Sequence, residues 1–136
     1  MQGRLTFSTQ GPGLTEITRD VSAACPAGDG LLTLFLRHTS CSLLIQENAD
    51  PEVQTDLANW LSRLIPQSDD PSMAYLTHTY EGPDDMPAHL KAAILPVSLQ
   101  IPVLNGAMRH GTWQGIYLFE HRTRPRQREV VWHFAP

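Results

Sequence analysis

The chain has 136 residues, 41% of them apolar, with 14 acidic against 10 basic side chains and a formal charge of −4. That is enough for one domain with its own core and too little for two, and the acidic balance argues against nucleic acid or an anionic membrane as partner. Cys25 and Cys41 form neither a disulfide framework nor a CxxC site, the N-terminus has no long apolar run, and no stretch approaches a membrane span. A soluble, cytoplasmic protein is the expectation.

In chain order, residues 4–9 alternate and predict a first strand. Gly11-Pro12-Gly13 makes a turn, and Leu14–Thr18 reads as a returning strand. Asp20 to about Cys25 predicts a short helix ended by Pro26. Leu31–His38 predicts a strand with Leu32, Leu34, Leu36 and His38 on one face, and Leu43, Ile45 and Glu47 continue that phase in a neighbour. Asp50-Pro51-Glu52 is a helix start, and Val53, Leu57, Trp60, Leu61 and Leu64 follow as a core-facing stripe until Pro66. Residues 67–75 read as loop.

A second helix begins near Asp84 or Asp85, either of which can cap it, and runs through Leu90 and Ile94 to Pro96. Val97–Val103 predicts a strand that Pro102 places at an edge or bulge, and Asn105-Gly106 signals a hairpin. The last strands are GTWQGIYLFEH and REVVWHF. In the first, Glu120 is an acid among apolar neighbours, so its burial requires a partner. Arg122, Arg124, Arg126 and Arg128 are expected in the turn between them, as a solvated loop or an anion clamp. Val130, Trp132 and Phe134 suggest a sheet face buried against helices or a neighbouring subunit. Strands outnumber helices without a βαβ repeat, so the fold class is α+β, mainly antiparallel with short helices.

The chain has no P-loop, GxGxxG, HExxH or GxSxG. Its polar residues are dispersed. His78 and His89 flank a Gly-Pro turn, with Asp85 one helical turn before His89, so all three can meet at one small site. His38, Thr39 and Ser40 lie at a strand end, and Glu120 lies late in the chain. Histidines with carboxylates can hold zinc or another divalent metal with one position open, or a carboxylate can orient a histidine instead. His38 next to Thr39-Ser40 also permits a base and nucleophile, although neighbours in a strand point to opposite faces, which leaves Ser40 rather than Thr39 as the nucleophile. Cys41 has no activating partner and reads as a small buried side chain. Charge is uneven: nine acidic residues and only Arg63 lie between Glu47 and Asp85, whereas five arginines and two glutamates follow from Arg109 onward.

The runs HTSCSLLIQENADPEVQTDL (38–57), HTYEGPDDMPAHLKAAIL (78–95) and GTWQGIYLFEHRTRPRQREV (111–130), with Pro66 and the IPV before Gly106, resemble the YjbQ family along almost the whole chain. Members are described as secondary thiamine-phosphate synthase enzymes. The resemblance implies an α+β homotrimer with a polar pocket near the subunit boundary, metal or phosphate-like ligands, and joining of a pyrimidine pyrophosphate to a thiazole phosphate. The family's polar signature falls on His38, Thr39, Ser40, Glu47, Asn48, Asp50, His78, Asp85, His89, Gln114 and Glu120, with Arg128 as the basic residue of the last loop. Cys41, Pro96 and His110 depart from its usual residues.

The expected assignment is therefore catalytic His38, Asp85, His89 and Glu120, a metal set of His38, His78 and His89, and ligand contacts from Ser40, Asn48, Gln114 and Arg128. Phosphate or sulfate is an expected pocket ligand, and a small phosphorylated metabolite is the expected partner. Two alternatives stand beside the synthase: a metal-dependent hydrolase or transferase on another phosphorylated compound, and a non-catalytic metal- or metabolite-binding trimer.

Overall fold

The computed structural model describes residues 1–136. In chain order the elements are β1 (Gln2–Thr9), β2 (Gly13–Glu16), α1 (Thr18–Ala24), β3 (Gly30–Leu36), β4 (Cys41–Glu47), α2 (Pro51–Leu64), a 3₁₀ turn (Pro71–Met73), α3 (Asp85–Ile94), β5 (Ser98–Leu104), β6 (Ala107–Met108), β7 (Gln114–Glu120) and β8 (Arg126–Ala135). They form two antiparallel sheets, β1-β8-β3-β5-β6 and β2-β7-β4. The expected α+β class is what the chain adopts.

The sheets stack face to face. Leu32, Leu34 and Leu36 of β3, Val130 and Phe134 of β8, and Ile101 and Val103 of β5 meet Leu43, Ile116 and Leu118 of the smaller sheet, with Ile17 and Val21 closing one end. Strand alternation places these residues inward, and the aliphatic content of β3 and β7 makes this interior continuous. The face of Val130 and Phe134 is thus covered by the second sheet, rather than by helices or a neighbouring subunit. Helices cover the opposite face of the small sheet, where Leu61, Ile65 and Met73 pack on Phe119, flanked by Leu44, Leu90 and Leu95.

Several local expectations change. β2 does not return along β1: it pairs with β7, and the Gly11–Gly13 segment, with φ of 155° and 137° at its glycines, carries the chain between sheets. The helix α2 starts as expected, with the Asp50 carboxylate accepting the Glu52 N–H at 2.9 Å. Its buried face is rotated, however. Ala58, Leu61 and Ile65 turn toward the sheet, whereas Trp60 and Leu64 are more than half exposed. Asn105 and Gly106 both have positive φ, 53° and 74°, in the β5–β6 hairpin, and Pro102 sits beyond the end of two-residue β6. No helix is long and apolar enough to cross a membrane.

Candidate metal centre

The first turn of α3 and the loop before it build one polar cluster. Asp85 opens the helix, His89 stands one turn later, and the Gly82-Pro83 turn brings His78 back to the same carboxylate. His78 Nε2 lies 2.8 Å from Asp85 Oδ2, and His89 Nε2 lies 3.5 Å from Asp85 Oδ1. The three ligand atoms are all within 4.8 Å of one another. Asp85 is only 2% exposed, while both histidines are about one-third open to solvent.

The surroundings orient each member. His89 Nδ1 lies 3.0 Å from the Thr39 carbonyl oxygen, which can only accept, so Nδ1 carries a proton and Nε2 is the nitrogen turned toward Asp85. Such a carbonyl partner is the usual way a ligating histidine is fixed in ring orientation and tautomer. Arg122 Nη1 donates to Asp85 Oδ1 at 2.7 Å and its Nε donates to Asp84 Oδ2 at 2.8 Å. Burial alone would raise the Asp85 carboxyl. The His78 hydrogen bond and the Arg122 and His89 charges outweigh it and hold the group below its ordinary range, as an anion. Two imidazoles and a carboxylate, with an open side to solvent, can coordinate a divalent transition ion.

Of the two expected caps, Asp84 occupies the N-cap position of α3, but its side chain makes no capping hydrogen bond. Its carboxylate is used by Arg122 Nε, the Thr123 N–H at 3.0 Å and the Thr123 hydroxyl at 3.2 Å. This clamp joins the start of α3 to the β7–β8 turn.

His38 lies outside the cluster. Its Nε2 accepts the Glu129 N–H at 2.8 Å, which fixes the ring at the edge of the larger sheet, and burial, then the Arg128 charge, lowers its pKa. The cluster of potential ligands thus contains Asp85 with His78 and His89, and not His38. His38 and His89 do share an apolar cleft with Phe35, Ala92 and Val97.

Glu120 has the partner its burial requires. Its carboxylate accepts from Thr9 Oγ1 at 2.6 Å, the His121 and Arg122 N–H groups at 3.0 and 3.1 Å, and both Nε and Nη2 of Arg128. Those five donors saturate it, so the expected proton-handling or ligand role has no free oxygen here. Burial would raise the Glu120 carboxyl, but Arg128 and Thr9 hold it low. Arg128 lies on β8 rather than in the turn, and also donates to Ser40 Oγ at 3.0 Å. Both Arg128 and Ser40 are buried, so neither faces a ligand.

Asn48 and Gln114 fall elsewhere. Asn48 Nδ2 donates to the Gln114 carbonyl, and Gln114 Oε1 accepts the Gly111 N–H at 2.7 Å. In the β4–β7 ladder Glu47 faces Gln114 and Cys41 faces Glu120, so six residues, roughly 20 Å, separate the two ends. The four expected ligand contacts thus do not converge within one chain. Glu47 offers its carbonyl to Tyr117 and Asp50 caps α2. Cys41 is fully buried, and burial pushes its thiol up to about 12, as a packing residue requires. Sequence reading missed two members of the centre: Arg122, whose pairing depends on the fold, and the Thr39 carbonyl, which no side-chain pattern encodes.

A small α+β protein with a two-histidine, one-carboxylate cluster at a helix start is the class that fold and site define. The chain belongs to the family described as UPF0047 protein YjbQ-like, whose model matches residues 3–136. Among its relatives, UPF0047 protein sll1880 of Synechocystis is 46% identical over 134 residues, covering 96% of this chain and 88% of that protein. UPF0047 protein YjbQ of Escherichia coli O157:H7 is 40% identical over 134 residues, covering 96% and 94%. The crystal structure of the conserved hypothetical protein TT1486 from Thermus thermophilus superposes with a TM-score of 0.85 at 37% identity, over 98% of this chain and 99% of that one.

Proposed function

We propose that His78, Asp85 and His89 hold a divalent metal, zinc foremost, and that the centre serves transfer chemistry on a small phosphorylated metabolite. The observation that carries this reading is the commitment of His89 Nδ1 to the Thr39 carbonyl, which leaves Nε2 as the nitrogen available to a metal beside His78 and the buried Asp85 carboxylate. A bound ion of this kind supplies Lewis-acid stabilisation of charge on a departing phosphate, or an activated water. Arg122 holds Asp85 ionised and immobile, and the Thr39 carbonyl holds the His89 ring. The reaction proposed first, following the family resemblance, is the joining of a pyrimidine pyrophosphate to a thiazole phosphate, giving thiamine phosphate and pyrophosphate.

The test measures zinc binding by calorimetry and turnover before and after chelation, in the wild type, H89A and D85N. Binding that falls by about 10-fold or more in both variants, with turnover lost on chelation, supports the proposal. Undiminished turnover after chelation removes the metal from the reaction. A much higher kcat/KM for another phosphorylated compound assigns a different transfer or hydrolysis to the same centre. Tight binding with no product under any condition reduces the reading to a binding protein. A homotrimer is part of the proposal. The open face of the larger sheet, where Arg4, Phe35, Arg37 and Val131 line a groove, is the surface available for assembly, and sedimentation equilibrium reads the state.

A further inference from the structure

Between the 80–84 turn and the 122–126 turn lies a cavity of about 460 Å³, a size typical of small-molecule sites. Its wall is polar and includes Arg122, Arg124 and Arg126. Arg122 is neutralised by Asp84 and Asp85. Arg124 and Arg126 have no carboxylate within 4 Å. The Arg126 Nε–H is also buried with no hydrogen-bond partner. A buried N–H of a charged group left without an acceptor is destabilising, and an anion would supply that acceptor.

The carboxylates nearby do not offset it. Asp84 and Glu81 also line the cavity, but Asp84 Oδ2 is taken by Arg122 and Thr123, and Glu81, about half exposed, lies 3.8 Å from His78. Two unpaired guanidinium groups beside a polar cavity match an oxyanion, because their planar N–H forks fit the oxygens of a phosphate group in paired hydrogen bonds.

We propose that this cavity is an anion site that takes the phosphate group of the substrate, with Arg124 and Arg126 as its ligands. The identity of that ligand as substrate rests on the metal-centre reading, whereas the anion site stands on separate residues. Arg122 is the shared wall, lining this cavity on one side and holding Asp85 on the other.

Calorimetric titration of inorganic phosphate into the full chain, freed of metal by chelator and held at constant ionic strength, tests it. Saturable binding to the wild type is expected, weakened about tenfold or more in R124Q/R126Q and unchanged within about twofold in H89A. R124Q and R126K serve if circular dichroism shows the double variant unfolded. R126K keeps the charge but not the planar guanidinium fork, and loses affinity. No saturable binding to the wild type, equal binding in the arginine variants, or a loss confined to H89A overturns the site. Zinc titrated in parallel separates the two readings: phosphate binding without zinc binding leaves the anion site standing and removes the metal centre.

Discussion

The buried Glu120–Arg128 pair supports the turn that carries Arg122, and its removal is a quantitative test of that reasoning. In E120A, Arg128 remains charged, 4% exposed and without its main acceptor, while the His121 and Arg122 N–H groups and Thr9 Oγ1 lose theirs. Removing one partner of a buried ion pair costs about 3–5 kcal/mol. With an unfolding entropy of about 2.1 cal/mol/K per residue, that loss lowers Tm by roughly 10–17 °C for a chain of this length. Urea denaturation at one fixed protein concentration measures it, since any assembly would otherwise contribute. E120L/R128M, which exchanges both charges for apolar groups, recovers most of the loss, and the cycle gives the coupling. A loss below about 1 kcal/mol in E120A, or strict additivity in the double variant, refutes the argument.

R122Q leaves Asp84 and Asp85 buried without their cation and costs about 3 kcal/mol at neutral pH. Both carboxyls are held low in the folded chain, so the penalty is largest above the ordinary carboxyl value of 3.8 and shrinks as pH falls below it, which denaturation across pH 3–7 reads. His121 is sealed beside Ser42, and burial, then the Lys91 charge, lowers its pKa to about 3. The unfolded chain binds that proton near 6.5 and the folded one only near 3, so stability falls by up to about 1.4 kcal/mol per pH unit as pH drops through that window. His38 adds in the same sense, so H121Q should flatten the acid limb without abolishing it; an unchanged slope would count against the assignment. L61A should cost about 2–5 kcal/mol, whereas W60A stays within about 1 kcal/mol, because only Leu61 points at the sheet. Equal losses on thermal melting would restore the original stripe.

Features set by neighbours in sequence were legible. Asp50-Pro51-Glu52 starts α2 and Asn105-Gly106 turns the β5–β6 hairpin because each needs only local backbone geometry. The convergence of His78, Asp85 and His89 also followed from helical spacing plus one turn. What failed depended on contacts between distant strands. Arg128 reads as a loop cation, yet β8 begins at Arg126 and turns Arg128 inward toward Glu120. His38 reads as a ligand, yet the pairing of β3 with β8 brings the Glu129 amide to its free nitrogen. The α2 stripe was off by part of a turn because period alone does not choose between Leu61 and its apolar neighbour Trp60 when both are large.

Asp84 is a helix-capping residue diverted to a clamp 38 residues away, and this has a consequence for motion. The first turn of α3 lacks the side-chain acceptor that normally closes it, a deficit of about 1 kcal/mol. Its order comes from Arg122 and Thr123 instead. Amide hydrogen exchange at Ala88, whose N–H donates to the Asp84 carbonyl, should therefore report a sub-global opening, below the free energy of whole-chain unfolding. In that opening, Asp85 leaves the two histidines as a unit with the turn that holds it.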